Sequence, residues 1–126
     1  MSEKLRSLPD SELEVMQAVW ELEPPVERRA IESELARRGR TMAQTTVLTL
    51  LTRLEEKGYI TIEKDGRRRV YAPLVERGTY QAQQSRRFVD KVFGGSISAF
   101  ANALCDSGLT REELDELRGL LERNEL

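Results

Sequence analysis

The stretch that decides the fold spans residues 41–58 and reads TMAQTTVLTLLTRLEEKG. Apolar side chains recur in it at helical spacing, which predicts a helix over residues 42–57 with one buried face; they are Val47, Leu50, Leu51 and Leu54. Thr41 and Gln44 have the spacing of a capping box, so we expect the helix to start at Thr41. Gly58 marks its end.

The other face of this helix carries four short hydroxyls and one arginine: Thr45, Thr46, Thr49, Thr52 and Arg53. Threonine is a poor helix former, so helix propensity does not explain four of them here. Short hydroxyls and arginine hydrogen-bond to phosphates and base edges without holding the helix away from DNA. The pattern favours a DNA recognition helix, and a surface helix of ordinary composition is the competing interpretation.

Charge is distributed unevenly along the 126 residues, although the formal net charge is only −2. Residues 1–27 hold two basic and seven acidic side chains, residues 28–69 hold eleven and six, and residues 70–126 hold seven and nine. The basic block includes the predicted recognition helix. A basic stripe on a nearly neutral protein indicates an anionic partner met by one face.

The composition argues against several classes of site. Cys105 is the only cysteine and there is no histidine, so an internal disulfide is impossible and a structural zinc site is not expected. Without histidine there is no common general base. No signal peptide or run of 18 apolar residues is present, so we predict a cytoplasmic protein without membrane insertion, metal, cofactor or catalytic residues.

Two helices are predicted before the deciding stretch. The first opens at Pro9 or at a Ser11–Glu14 capping box and buries Leu13, Met16, Val19 and Trp20. Pro24-Pro25 interrupts the chain. The second covers residues 26–38 and buries Ala30, Ile31 and Leu35. A helix, a short turn and a helix with a polar outer face form the helix-turn-helix pattern.

Residues 59–73 predict a β-hairpin after this pair of helices. Residues 59–64 alternate, Asp65-Gly66 is a two-residue turn signal, and residues 67–72 return as a second strand that Pro73 stops. Its tip is cationic, with Lys64, Arg67, Arg68 and Arg69. Edge strands carry charge to prevent aggregation, but three consecutive arginines exceed that need. We interpret the hairpin as the wing of a winged-helix domain that holds backbone phosphates.

Residues 76–126 predict a separate helical domain of three amphipathic helices, the first from about Thr79, the second capped by Ser96 and the third opened by a Thr110–Glu113 capping box. Its principal apolar residues are Tyr80, Phe88, Phe93, Phe100, Leu114, Leu117 and Leu121. About fifty residues make a marginal core alone. We therefore predict a dimerisation domain; packing on residues 1–75 is the alternative. The fold class is mainly α with a small β-hairpin: a winged helix-turn-helix domain, then a three-helix dimerisation domain.

Three blocks with matching spacing carry a resemblance to a known family: DSELEVMQAVW at residues 10–20, TTVLTLLTRLEEKGYI at residues 45–60, and DGRRRVYAP at residues 65–73. Together they resemble the penicillinase-repressor family, which includes the repressors of β-lactamase, of methicillin resistance and of copper transport. The resemblance covers nearly the whole chain. It implies homodimers that bind inverted-repeat operators in double-stranded DNA and block transcription.

The resemblance also implies roles for individual residues. Thr46, Thr49 and Arg53 match DNA-contacting positions of the recognition helix, and Arg67 matches the wing. Thr45 is neutral where some members carry a basic residue. In the copper-sensing branch paired Cys-x-Cys motifs end the chain, whereas Cys105 stands alone here, so metal sensing is not supported.

In the antibiotic-responsive branch, a membrane sensor triggers cleavage at an Asn-Phe bond of the C-terminal domain. Ala103-Leu104 matches that bond here, with Asn102 one position earlier, and is the candidate cleavage site. The inducing signal stays open. The alternative to a DNA-binding repressor is a helical adaptor whose cationic wing binds an acidic protein; an enzyme lacks any nucleophile–base or metal pattern.

Overall fold

The computed structural model describes residues 5–123, which form six helices and three strands. Their order is α1 (Asp10–Glu21), β1 (Val26–Glu27), α2 (Arg28–Arg37), α3 (Gln44–Glu56), β2 (Ile60–Asp65), β3 (Arg68–Pro73), α4 (Arg77–Phe93), α5 (Ile97–Asp106) and α6 (Arg111–Arg123). The chain divides within α4 into two compact units: unit 1 ends at Gln84 and unit 2 begins at Ser85. This boundary lies nine residues beyond the predicted start of the second domain at residue 76. The predicted class, mainly helical with a winged helix-turn-helix, is confirmed.

Unit 1 is built around one apolar core. Helix α3 buries the whole predicted stripe, whereas Leu13 and Trp20 of α1 and Ala30 of α2 are only half-buried. Strands β2 and β3 complete the core, and the most buried side chains are Val15, Met16, Ala18, Val19, Ile31, Leu35, Val47, Leu51, Leu54, Tyr59, Ile60 and Tyr71. Burying each such side chain stabilises the fold by about 1.5–3 kcal/mol. The core therefore fixes the face that α3 presents outward.

A third strand corrects the predicted start of the second helix. Val26 and Glu27 form β1, which pairs antiparallel with β3 through Val26↔Tyr71 and Glu27↔Val70, so the sheet order is β1-β3-β2. The predicted helix start at Val26 is wrong, and α2 begins at Arg28. Val26 is buried and β-branched, and its strand partner lies far along the chain, so local periodicity could not reveal the pairing.

The predicted capping box at Thr41 is wrong, and of the two starts predicted for α1 the structure confirms Pro9 rather than the Ser11–Glu14 box. Helix α3 begins at Gln44 after Ala43, not at Thr41, and α1 begins at Asp10 after Pro9; neither start has a side-chain cap. Met42 packs against the core, which holds the residues just before Gln44 outside the helix. Helix packing has overridden the local signal here.

The hairpin turn lies one residue later than predicted. Asp65 pairs with Arg68, so the two-residue loop is Gly66-Arg67 rather than Asp65-Gly66. Gly66 has φ +69° and Arg67 has negative φ, as in a type II′ turn. This register puts Ile62 opposite Tyr71 on the buried side, and a one-residue slip would turn both outward.

Unit 2 has little buried surface of its own. Among its described residues only Val89 is buried, and α5 and α6 bury none. Phe88, Phe93 and Phe100 pack edge to face, with ring centroids 5.5–6.3 Å apart. Ser96 caps α5 by accepting from Ala99 N–H at 3.0 Å, as predicted.

The predicted capping box before α6 forms. Thr110 N–H donates to the Glu113 carboxylate at 2.9 Å, and Glu113 N–H donates to the Thr110 hydroxyl at 3.1 Å. Helix α4 starts at Arg77 rather than near Thr79. No helix in residues 5–123 has the length and apolar character needed to cross a membrane.

Candidate nucleic-acid interface

The outer face of α3 is polar and open to solvent. Thr45, Thr46, Thr49, Thr52 and Arg53 are all exposed. The inner face is fixed, because Val47, Leu50, Leu51 and Leu54 are no more than 5% exposed. Core packing thus holds the predicted readout face in one orientation.

Two of these threonines bond back to their own helix. The Thr49 hydroxyl donates to the Thr45 carbonyl at 2.9 Å, and the Thr52 hydroxyl donates to the Leu48 carbonyl at 3.0 Å. A hydroxyl has a single hydrogen, so each oxygen is left as an acceptor beside a methyl group. The sequence did not predict this restriction on how α3 can read a base edge.

The end of α3 is tied to α1 by a buried ion pair. Lys57 Nζ lies 2.5 Å from Glu12 Oε1, with side chains 19% and 4% exposed. Directly after the helix, the Tyr59 hydroxyl donates to the Arg6 carbonyl. Neither contact was predicted, because each joins residues more than forty positions apart.

The hairpin tip presents the predicted cations to solvent. Lys64, Arg67, Arg68 and Arg69 are exposed. Lys64 lies directly opposite Arg69 in the β2–β3 ladder, although facing like charges destabilise a sheet. Arg68 Nη1 contacts Glu27 Oε1 at 2.7 Å. Because the facing Lys64 and Arg69 do not stabilise the sheet, their presence at the tip indicates binding of an anionic partner.

A groove of about 640 Å³ lies between the start of α2 and the hairpin; we call it the Arg groove. It is lined by Glu27, Arg28, Arg29, Leu48, Arg67, Arg68, Arg69 and Tyr71. Burial raises the pKa of Tyr71, and the nearby charges of Arg69 and Arg28 oppose this rise. Arg28 and Arg29 were not chosen as site residues from the sequence, although their place in the basic block was a signal.

Two further arginines, Arg37 at the end of α2 and Arg38 at its C-cap, are held by a carboxylate of the same helix. Buried Glu34 accepts from Arg37 Nη2 at 2.6 Å and from Arg38 Nε at 2.7 Å. These hydrogen bonds, that of Arg37 first, lower the pKa of Glu34 to about 2. Arg37 and Arg38 are therefore held by Glu34, so they are poorer candidates for phosphate contacts than the cations of the hairpin tip.

The predicted interaction residues fall into different units. All eight candidate DNA-binding residues lie in unit 1, on α3 and the hairpin. Tyr80 was expected at a dimer surface, but it is buried in the core of unit 1, where its hydroxyl accepts from Leu8 N–H at 3.0 Å. Unit 2 contains Phe88, Phe93, Phe100, Leu114, Leu117 and Leu121, with Ala103 and Leu104 half-buried in α5. Across residues 5–123, no three metal-ligating side chains cluster.

Comparison with known proteins identifies relatives along the whole chain. The sequence model of the penicillinase repressor family matches residues 8–123. The penicillinase repressor of Bacillus licheniformis is 30% identical over 96% of this chain and 94% of its own length. The methicillin resistance regulatory protein MecI of Mammaliicoccus sciuri is 32% identical over 98% and 99%.

Two solved structures resemble a little under two thirds of this chain. The solution structure of the DNA-binding domain of the repressor BlaI has a TM-score of 0.51 and 31% identity, over 64% of this chain and 94% of that one. The monomeric form of Bacillus licheniformis BlaI in complex with the blaP half-operator has a TM-score of 0.51 and 32% identity, over 63% and 94%. On the full-length match, this chain belongs to the penicillinase repressor family.

Proposed function

We propose that this chain is a transcriptional repressor that binds operator DNA through α3 and the β2–β3 hairpin. The observation that carries the proposal is the exposed threonine–arginine face of α3, held by a buried opposite face beside a cationic hairpin. The structure of a related repressor with its half-operator supports it. The family is one of repressors and not of enzymes.

In this proposal the two elements have different tasks. Helix α3 enters the major groove, where Thr45, Thr46, Thr49 and Arg53 meet base edges. The hairpin cations Lys64, Arg67, Arg68 and Arg69 meet backbone phosphates. Base contacts give sequence preference, whereas phosphate contacts give affinity that falls steeply with salt.

The readout role of Arg53 is tested on duplexes that the protein itself selects from a random library. Filter binding then compares a selected duplex with random DNA. Arg53→Ala should lose on the order of 1–3 kcal/mol of discrimination. Arg111→Ala removes the same charge from unit 2 and should leave this discrimination unchanged.

Two outcomes would contradict parts of this proposal. If Arg53→Ala weakens selected and random duplexes equally, Arg53 is a phosphate contact. If the wild-type protein prefers no sequence over random duplex at moderate salt, the repressor proposal fails. An adaptor that binds an acidic protein would behave in that second way.

We further propose that unit 2 mediates a homodimer on an inverted repeat. Support comes from its exposed apolar side chains, including Phe88 (50% exposed), Val92 (55%) and Leu121 (66%). Unit 2 buries almost nothing of its own, so a second copy offers the apolar surface that it lacks. Pairing two half-sites also raises affinity through effective concentration.

The dimer is tested by a charge placed on the apolar side of α6. Leu117→Asp should shift sedimentation at micromolar concentration from dimer to monomer, because burying an unpaired carboxylate costs several kcal/mol. Operator affinity should fall with it. Arg118→Asp introduces the same carboxylate at the neighbouring exposed position and should leave the dimer intact. A wild-type monomer would contradict the proposal.

We propose that cleavage near Ala103-Leu104, triggered by a membrane sensor, relieves repression. Helix α5 buries no residue, and it lies between Gly94-Gly95 and Gly108, all with positive φ. Such a segment opens more readily than the core of unit 1. Limited proteolysis with mass spectrometry should give an early cut in residues 93–108. Resistance of this segment after the hairpin tip has been cut would contradict it.

A further inference from the structure

The Arg groove gathers five guanidinium groups from two elements, α2 and the hairpin. Glu27 closes β1, Arg28 and Arg29 open α2, and Arg67–Arg69 belong to the hairpin. Leu48 and Tyr71 supply an apolar wall. Leu48 lies on α3, so this groove borders the proposed readout helix.

The five arginines are not equally free. Arg28 contacts Glu32, and Arg68 contacts Glu27 at 2.7 Å. Within residues 5–123, Arg29, Arg67 and Arg69 have no ion-pair partner. Three unpaired cations against an apolar wall concentrate positive potential in a concave space, where a bound anion relieves their mutual repulsion.

The Glu27–Arg68 contact follows from the strand register. Glu27 faces Val70 across the β1–β3 ladder, and Arg68 lies two residues before Val70 on the same face. The two side chains are therefore diagonal neighbours within reach of each other. Both remain substantially exposed, Arg68 at 74% and Glu27 at 45%, so a competing anion can approach the guanidinium.

We propose that the Arg groove is a further backbone-phosphate site, with Arg29 as a contact of its own and Glu27 as the internal anion that DNA displaces from Arg68. This inference rests on the proposed function and deepens it. Phosphate binding exchanges the Glu27–Arg68 pair for a phosphate–Arg68 pair. Glu27 then stays beside the phosphate as an unfavourable charge, which limits affinity for all duplexes.

The sharpest test is a gain of binding. Glu27→Gln removes the competing carboxylate and leaves Arg68 free. Affinity for selected and random duplexes should rise together, by roughly three- to tenfold, because one exposed ion pair no longer has to be broken. The dependence of log K on log salt should steepen by about one unit. Glu76→Gln makes the same charge change at an exposed position outside the groove. It should change neither the affinity for duplexes nor the salt dependence.

Loss of binding tests the Arg29 contact. Arg29→Ala should weaken both duplex classes by a similar factor and flatten the salt slope by about one unit. Arg28→Ala is the matched neighbour; because Glu32 already holds Arg28, its effect should be smaller. Circular dichroism checks that each variant is folded. If Arg29→Ala and Arg28→Ala behave alike, the assignment of Arg29 fails.

A small anion is the other source of the same chemistry. Sodium phosphate should weaken DNA binding no more than sodium chloride at equal ionic strength. A specific phosphate effect that Arg29→Ala abolishes would instead indicate a small-anion site and overturn the proposal. If wild-type protein selects a duplex and Arg53→Ala loses that selection while Glu27→Gln matches Glu76→Gln, the groove inference fails and the proposed function stands.

Discussion

Replacing Lys57 with methionine removes the charge that pairs with Glu12 while keeping an unbranched apolar side chain. The structure gives the two partners unequal environments, since the Glu12 side chain is 4% exposed and that of Lys57 is 19% exposed. Lys57→Met therefore leaves a buried carboxylate without its partner. Breaking a buried pair in this way costs about 3–5 kcal/mol.

Removing the charge of Glu12 should destabilise the fold less than removing that of Lys57. Glu12→Gln keeps the shape of the side chain and removes its charge, and the long Lys57 stem can turn its ammonium toward water. A lost hydrogen bond of this kind costs on the order of 1–3 kcal/mol. In the double variant no unpaired carboxylate remains, so we expect it to be more stable than Lys57→Met alone.

Urea unfolding followed by circular dichroism measures the three variants at one fixed protomer concentration, because association adds to apparent stability. With a slope of roughly 1–3 kcal/mol/M, Lys57→Met should lower the midpoint by about 1 M or more. A midpoint equal to that of the wild type, or a double variant no more stable than Lys57→Met, would refute the reasoning.

Three further changes test features of unit 1. The Thr49 hydroxyl already donates its hydrogen to the Thr45 carbonyl, so we expect the methyl group of Thr49 to contribute more to discrimination between selected and random duplexes. Thr49→Ser, which lacks this methyl group, should therefore lose about fourfold more discrimination than Thr49→Val, which keeps it. Binding to selected duplexes with uracil in place of thymine checks this. The folded pKa of Glu34, about 2, lies below its ordinary 4.5, so its stabilisation is complete above pH 4.5 and is lost as pH falls toward 2; the gap in urea midpoint between wild type and Glu34→Gln should shrink over that range. Gly66→Ala should destabilise by about 1–2 kcal/mol because φ is +69°, whereas Gly78→Ala in α4 should be neutral or stabilising.

The helices of unit 1 could be predicted because each buries a stripe at helical spacing. Val47, Leu50 and Leu54 are buried as the periodicity requires. Strand β1 could not be predicted, since two residues show no period and the strand partner of Val26, Tyr71, lies far along the chain. The capping box at Thr41 failed for a related reason, because Met42 packs on a core that local sequence does not describe.

In the candidate interface, too, some features follow from the local sequence and others depend on contacts between distant residues. The exposed threonines of α3 and the cationic hairpin follow from residue types and spacing. The partners that restrain them do not: Arg68 and Glu27 are 41 positions apart, and Lys57 and Glu12 are 45 apart. Which arginines are free for an anion is thus a property of the folded sheet and not of the basic block in the sequence.

The only tryptophan of the chain makes unit 1 its own optical probe. Trp20 Nε1–H donates to the Val75 carbonyl at 2.8 Å, and its ring centroid lies 5.7 Å from that of Tyr80 at the start of α4. Its intrinsic fluorescence follows the loosening of this contact, while far-ultraviolet ellipticity sums the helices of both units. Transitions that coincide in denaturant mean a single cooperative unit. An ellipticity loss that precedes the change in emission means that α5 and α6 melt while the DNA-binding unit is still folded.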